Sequence, residues 1–144
     1  MCLSAENRFP GVVTQVQNNC VSAVVTIDVN GTPITASITN GSVQNLELTR
    51  GTRVVAVVND VDVMLAHGRR LPLSARNQFK AKILDIDTGA VNTVVTLRGL
   101  GGNIIHSTVS NRAAEQLELE RGETVLVVIK ASSVMVGLAA GEDE

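Results

Sequence analysis

Apolar and polar residues alternate over two adjoining stretches early in the chain. Val25, Ile27 and Val29 are separated by Thr26 and Asp28, and Ile34, Ala36 and Ile38 by Thr35 and Ser37. A period of two sends alternate side chains to opposite faces and predicts two half-buried strands. Asn30-Gly31 lies between them. That pair accepts the positive φ angles of a type I′ turn, so the two runs predict a tight hairpin. Val43 and Leu46, one helical turn apart, predict a short helix over residues 42–48, with Thr39, Asn40 or Ser42 to cap it. An Arg50-Gly51 turn then leads into an apolar strand at residues 54–58.

The whole series returns. Leu3-Ser4-Ala5-Glu6-Asn7-Arg8-Phe9 reappears as Leu73-Ser74-Ala75-Arg76-Asn77-Gln78-Phe79, and Val21-Ser22-Ala23-Val24-Val25-Thr26 as Val91-Asn92-Thr93-Val94-Val95-Thr96, both at an offset of 70. Leu46-Glu47-Leu48-Thr49-Arg50-Gly51 matches Leu117-Glu118-Leu119-Glu120-Arg121-Gly122, and Val63-Met64 matches Val134-Met135, at an offset of 71. One extra residue therefore falls in the second copy near residues 98–102, where Gly99, Gly101 and Gly102 predict a hairpin turn that tolerates insertion. The second helix is expected over residues 112–119 and its following strand over 125–129. Each copy reads strand, strand, strand, short helix, strand, strand, which fits an OB-like barrel. The expected fold is all-β: two tandem OB-like five-stranded small barrels, each with one short helix. The expected layout is a first domain at 1–66, a linker at 67–72, a second domain at 73–137 and a tail at 138–144.

Composition narrows the functional classes. Of 144 residues 44% are hydrophobic, yet Phe9 and Phe79 are the only aromatics, so Val, Ile, Leu and Ala must build the core. The net charge of −2 gives no general attraction for nucleic acid or acidic membranes. Single-strand binding by OB folds relies on stacking aromatics and a basic groove, both of which this composition lacks. No apolar run approaches the ~20 residues of a membrane span. No apolar leader is visible in residues 1–10, so the cytoplasm is the expected compartment. Cys2 and Cys20 are the only cysteines, and Cys20 is read as a small packing residue.

Catalytic options are thin. His67 falls in the linker and His106 at a strand position, and both are read as solvated or satisfied histidines. Gly99-Leu100-Gly101-Gly102 lacks the spacing and the strand-to-helix setting of a phosphate loop. Two donor-rich segments of the second copy stand out instead: Ser74-Ala75-Arg76-Asn77 before its first strand, and Lys130-Ala131-Ser132-Ser133 after its last long one. A tetrahedral oxyanion suits such a set, with Arg supplying a fork of donors, Lys a point charge and Ser rotatable hydroxyls.

These same segments carry a family resemblance. Ser74-Ala75-Arg76-Asn77-Gln78-Phe79-Lys80-Ala81-Lys82-Ile83 resembles the opening motif of the Mop domain. Ala90-Val91-Asn92-Thr93-Val94-Val95 and Val128-Ile129-Lys130-Ala131-Ser132-Ser133-Val134-Met135-Val136-Gly137 resemble its middle and closing motifs. With the weaker first copy, the likeness runs from Leu3 to Gly137, and the chain is similar to the di-Mop molbindins, which carry two tandem Mop/TOBE domains. The resemblance implies a non-enzymatic, cytoplasmic protein without a cofactor. It implies a homotrimer, with molybdate or tungstate held at interfaces between repeats. The chain has no room for a DNA-binding or ATPase domain, so a storage or buffering role is expected. The alternatives are a molybdate-responsive interaction module and, behind it, an OB-fold nucleic-acid-binding protein.

Carried over residue by residue, the resemblance implies an oxyanion site of Ser74, Ala75, Arg76, Asn77, Ser110, Lys130, Ala131 and Ser132, with an interface partner contributing. Ser4, Ala5, Asn7 and Thr39 match in the first copy, but Glu6 replaces the Arg, Asn59 the Lys, and Asp60 follows. A like charge about 4 Å from a dianion costs several kcal/mol at an effective dielectric of ~20. A site built wholly from the first copy is therefore expected to be weak or empty. Mixed sites, with Arg76 facing Asn59 and Asp60 and Glu6 facing Lys130, stay open at this point.

Overall fold

The period-two runs become strands. In the computed structural model, which describes residues 6–68 and 77–139, the first repeat forms β1 (Glu6–Asn18), β2 (Ser22–Val29), β3 (Thr32–Thr39), α1 (Asn40–Leu46), β4 (Arg53–Asn59), a 3-10 turn (Asp60–Asp62) and β5 (Met64–Ala66). The second forms β6 (Asn77–Thr88), β7 (Asn92–Gly99), β8 (Asn103–Ser110), α2 (Asn111–Leu117), β9 (Thr124–Ile129), a 3-10 turn (Ala131–Ser133) and β10 (Met135–Leu138). Val25, Ile27 and Val29 are fully buried on β2, while Thr26 and Asp28 between them are only half-buried. The β2–β3 turn is the tight one expected, with Asn30 at φ 50° and Gly31 at φ 95°.

The first strand of each repeat is long because it serves two partners. Residues Glu6 to Val12 of β1 pair with β4, and Val12 to Asn18 pair with β2. A bulge between Val13 and Gln15 lets the strand turn from one to the other. The Arg-Gly turn closes over this bend: the Gly51 N–H donates to the Val13 carbonyl at 2.8 Å, and the Val13 N–H to the Thr52 carbonyl at 2.9 Å. The second repeat repeats the device, with a bulge between Ile83 and Asp85 and Gly122 donating to the Ile83 carbonyl at 2.8 Å.

Each sheet has five antiparallel strands, but the closing strands are exchanged. One sheet runs β10-β4-β1-β2-β3 and the other β5-β9-β6-β7-β8. Met135 to Leu138 pair with Val57 to Val54, and Met64 to Ala66 pair with Val128 to Leu126. Sequence repeat and sheet are therefore different units, and β10 continues through Leu138, one residue past the expected end of the second repeat. Buried residues of both repeats, from Phe9 and Ile27 to Ile83 and Ile129, form one continuous apolar cluster. The hairpin tips also touch, since a Cβ on Gly101 would lie 2.4 Å from the Cβ of Asn30.

Two local expectations change, and a third is met. The helices end at Leu46 and Leu117, two residues earlier than expected, because Glu47 and Glu118 turn left-handed at φ 53° and 51°. The Leu48 N–H then returns to the Val43 carbonyl at 3.0 Å, which closes the helix and drops Leu48 into the core. The insertion falls in the expected turn, absorbed by Leu100, Gly101 and Gly102, all at positive φ, and Leu100 is buried at 4% exposure. Cys20 is exposed, not packed. It sits in the β1–β2 turn, where the Asn19 carboxamide oxygen accepts the Val21 and Ser22 N–H groups and holds the loop away from the core.

Candidate oxyanion site

Strand exchange carries each repeat's closing turn onto the other repeat. The Ala131–Ser133 turn packs on β3, and the Asp60–Asp62 turn packs on β8. This gives two places related by the internal duplication. Their residues correspond at an offset of 71: Ser37 with Thr108, Thr39 with Ser110, Ser42 with Ala113, Asn59 with Lys130, Asp60 with Ala131 and Val61 with Ser132.

The first place is an open recess of roughly 340 Å³, lined by Ser37, Thr39, Ser42, Ser132, Met135 and Val136 among others. Two expected site residues, Thr39 and Ser132, meet here from opposite repeats. Thr39 caps α1, its Oγ1 accepting the Ser42 N–H at 3.1 Å while donating to Ser42 Oγ at 2.9 Å. The Ser42 hydroxyl proton is left to point elsewhere. Among the described residues, the Ser37 and Ser132 hydroxyls have no protein partner. Lys130 precedes the turn and is exposed; it does not line the recess itself. Ala131 opens the turn, whose carbonyl accepts the Val134 N–H at 3.3 Å.

The second place keeps the helix cap but differs in its other polar features. Thr108 Oγ1 donates to Asp60 Oδ2 at 2.5 Å. The buried Ser107 hydroxyl donates to the Val63 carbonyl at 2.6 Å and fastens the turn to β8. Ser110 caps α2 by accepting the Ala113 N–H at 3.0 Å. Ser110 thus belongs to the strand under the acidic turn, apart from Lys130, Ala131 and Ser132 within one chain. The observed register also sets Glu6 opposite Asn59, so the backbone keeps these two first-copy positions together.

Asn7 and Asn77, expected among the anion donors, are buried at 2% and 3% exposure and tie the repeats together. Asn77 Oδ1 accepts the Thr35 N–H at 2.8 Å, and its Nδ2 donates to the Thr35 carbonyl at 2.8 Å. Asn7 does the same to His106, at 2.7 and 2.9 Å. β3 and β8 are sheet edges, and the carboxamide supplies the pairing that a further strand would give. One Nδ2 proton of each amide is left over. Ser4, Ala5, Ser74, Ala75 and Arg76 lie outside the described residues.

Three other ionisable groups have partners of their own. His67 is satisfied: its Nε2 meets the Leu117 carbonyl and its Nδ1 lies 3.3 Å from Glu123 Oε2. His106 on β8 has its Nδ1 3.3 Å from Thr96 Oγ1. At the β6 bulge, the hydrogen bond from Arg121 Nε, at 3.0 Å, with Arg121 Nη2 2.8 Å from the same oxygen, holds the Asp85 carboxyl below its ordinary value. Ser37 and Ser42 are site residues that sequence reasoning did not assign to the anion. Their signal was faint: Ser37 lies on the polar face of an alternating strand, and Ser42 looks like one of three cap candidates.

The TOBE domain pattern matches this sequence twice, over residues 3–65 and 73–136. The chain belongs to the TOBE domain family. The molybdenum transport protein ModE of Azotobacter vinelandii is 36% identical over 139 residues, covering 96% of this chain and 52% of that protein. The ModE of Herbaspirillum seropedicae is 33% identical over 140 residues, again 96% of this chain and 52% of its own length. This TOBE chain therefore spans about half the length of those relatives. A probable molybdenum-pterin-binding protein of Haemophilus influenzae is 47% identical over 68 residues, 99% of its length and 47% of this chain. The structure superposes on the cytoplasmic molybdate-binding protein ModG, solved with molybdate bound. The TM-score is 0.90 and the identity 40%, over 96% of this chain and all of that one.

Proposed function

We propose that this TOBE protein binds molybdate or tungstate and acts as a cytoplasmic store or buffer of the oxyanion. The observation that carries the reading is the open recess in which Ser132 of the second repeat meets Ser37, Thr39 and Ser42 of the first. Hydroxyls offer protons to a tetrahedral oxyanion, and bonds to an ionised acceptor are roughly twice as strong as neutral ones. Lys130 stands one residue before the turn, and Arg76 is the chain neighbour of Asn77, whose backbone pairs with Ile129. These two cations supply the charge a dianion needs, with Ser74, Ala75 and Ala131 completing the set. Asn77 adds at most its free Nδ2 proton. Donors and cations of this kind hold an anion without transforming it, so binding rather than catalysis follows. Similarity to ModG along the full length of both chains supports the same reading.

Self-association belongs to the proposal. Val21 and Val91 are 79% and 73% exposed at equivalent turns, and Met64 and Met135 are 41% and 46% exposed on equivalent strands. Equivalent apolar positions left bare in both repeats fit contacts with further copies of the chain, in a homotrimer that brings six repeats together. Repeats at 1–66 and 73–137, joined by 67–72, remain the sequence units of that assembly. No helix among the described residues is long and apolar enough to cross a membrane. The test is Arg76→Glu with molybdate titrated by calorimetry. High-affinity binding is expected to disappear, and unchanged affinity and stoichiometry would remove Arg76 from the site.

A further inference from the structure

We propose that Asp60 is a built-in anion that fills the second of the two duplicated places, so that each chain offers an oxyanion one open site and one closed one. The inference rests on the molybdate reading above and deepens it.

The two places share a backbone plan. In each, a three-residue 3-10 turn from one repeat packs on the end of a strand from the other, beside a capped short helix. In the open place, Ser37 on β3 keeps its hydroxyl unpartnered among the described residues, and the turn presents Ala131 and Ser132. In the closed place, the hydroxyl equivalent to that of Ser37 is Thr108 Oγ1, and it already donates to Asp60 Oδ2 at 2.5 Å. Asp60 stands where the open place has Ala131, so its carboxylate extends from the turn toward β8 and takes the donor a bound oxyanion would use. The other donors are thinned as well. Ser132 becomes Val61, Ser42 becomes Ala113 and Lys130 becomes Asn59.

A carboxylate and a tetrahedral oxyanion make the same demand: acceptor oxygens seeking O–H and N–H groups. Tethered to the chain, Asp60 meets that demand without the entropy loss of capturing a free ligand. Its charge also repels an incoming dianion. A merely weakened site would lack donors; this one has a donor that is already occupied. That difference is what makes the inference testable by reciprocal exchange of residues.

The experiment is native mass spectrometry and calorimetry of the full chain with molybdate, comparing wild type with Glu6→Arg/Asn59→Lys, which restores both cations beside the closed place, with the same pair plus Asp60→Ala, and with Ala131→Asp. Circular dichroism melting confirms that each variant is folded, and Asp60→Asn serves as a second, gentler variant. Adding Asp60→Ala to the pair is expected to gain one molybdate per chain over the pair alone. Ala131→Asp is expected to lose one. Asp60→Asn keeps the side chain's bulk but removes its charge, and is expected to admit weak additional binding. Comparison with wild type keeps these increments independent of any other site in an assembly. A folded triple variant that binds no more molybdate than the Glu6→Arg/Asn59→Lys pair, or an Ala131→Asp variant that still binds as wild type does, would overturn the inference while leaving the molybdate reading intact. A wild-type chain that binds no molybdate at all would instead overturn the reading beneath it.

Discussion

Replacing Asn77 with alanine removes the three side-chain hydrogen bonds that join β6 to the edge of β3. The Thr35 N–H and carbonyl, each held at 2.8 Å, lose their partner together. An unsatisfied buried polar group costs about 1–3 kcal/mol. Asn77 is 3% exposed but Thr35 is only half-buried, so water recovers part of that. A net loss of about 2–3 kcal/mol is expected from these two effects. With a urea slope of roughly 2 kcal/mol/M for a chain of this size, the midpoint falls by about 1–1.5 M. Urea titration followed by circular dichroism, in the absence of molybdate, measures it. Asn18→Ala is the control, because Asn18 donates only to Asn40 Oδ1 on the exposed surface. It should stay within about 0.5 kcal/mol of wild type. If Asn77→Ala also fell within that margin without ligand, the amide would not be a clamp between repeats, and a ligand-only role would be the better account.

Two further outcomes follow from local geometry. Gly101→Ala combines a positive φ of 69° with a Cβ that would lie 2.4 Å from the Asn30 Cβ. It should destabilise by about 2 kcal/mol or more; a melting temperature equal to wild type would mean that the hairpin tips do not abut. Arg121 holds the Asp85 carboxyl below its ordinary value. The small stability this gives is present above the unfolded value and is lost as pH falls through the depressed folded one. Carbon-detected NMR should show Asp85 titrating below an unperturbed aspartate, and Arg121→Ala should restore the ordinary value; titration at or above 3.8 in wild type would refute the pairing.

Much of the fold could be read from residue pattern because the pattern reports local geometry. Alternation gave β2 and β3, Asn30-Gly31 gave the turn with two positive φ angles, and the repeat located the insertion now seen at Leu100 to Gly102. The strand exchange could not be read. Val63-Met64 and Val134-Met135 are nearly the same peptide, so each suits either sheet, and nothing local chooses between them. The helix ends were misplaced because glutamate, rather than glycine, adopts the left-handed cap in both repeats. The candidate site was half legible for the same reason as the exchange. Residue type marked Thr39 and Ser132, but only the exchanged topology brings them together, and only that meeting gives Ser37 and Ser42 a part. The clamp role of Asn7 and Asn77 could not be read, because a carboxamide's partner is invisible in sequence.

The exchange also explains how one copy can keep an acidic turn within an intact fold. The elements that hold the two sheets together are the shared apolar cluster, the paired closing strands and the two asparagine clamps, and the repeats have these in common. None of them uses Asn59, Asp60, Lys130 or Ala131. The closing turn of one repeat meets the strand of the other, so a substitution at the first turn acts on β8 alone, and β3 with its hydroxyls is untouched. Were the chain a single repeat assembled from identical copies, an aspartate at this turn would enter every site at once. Duplication within one chain confines it to half of them. Asp60, received by Thr108, then contributes a hydrogen bond to the interface between repeats, while the open recess keeps the hydroxyls of Ser37, Ser42 and Ser132.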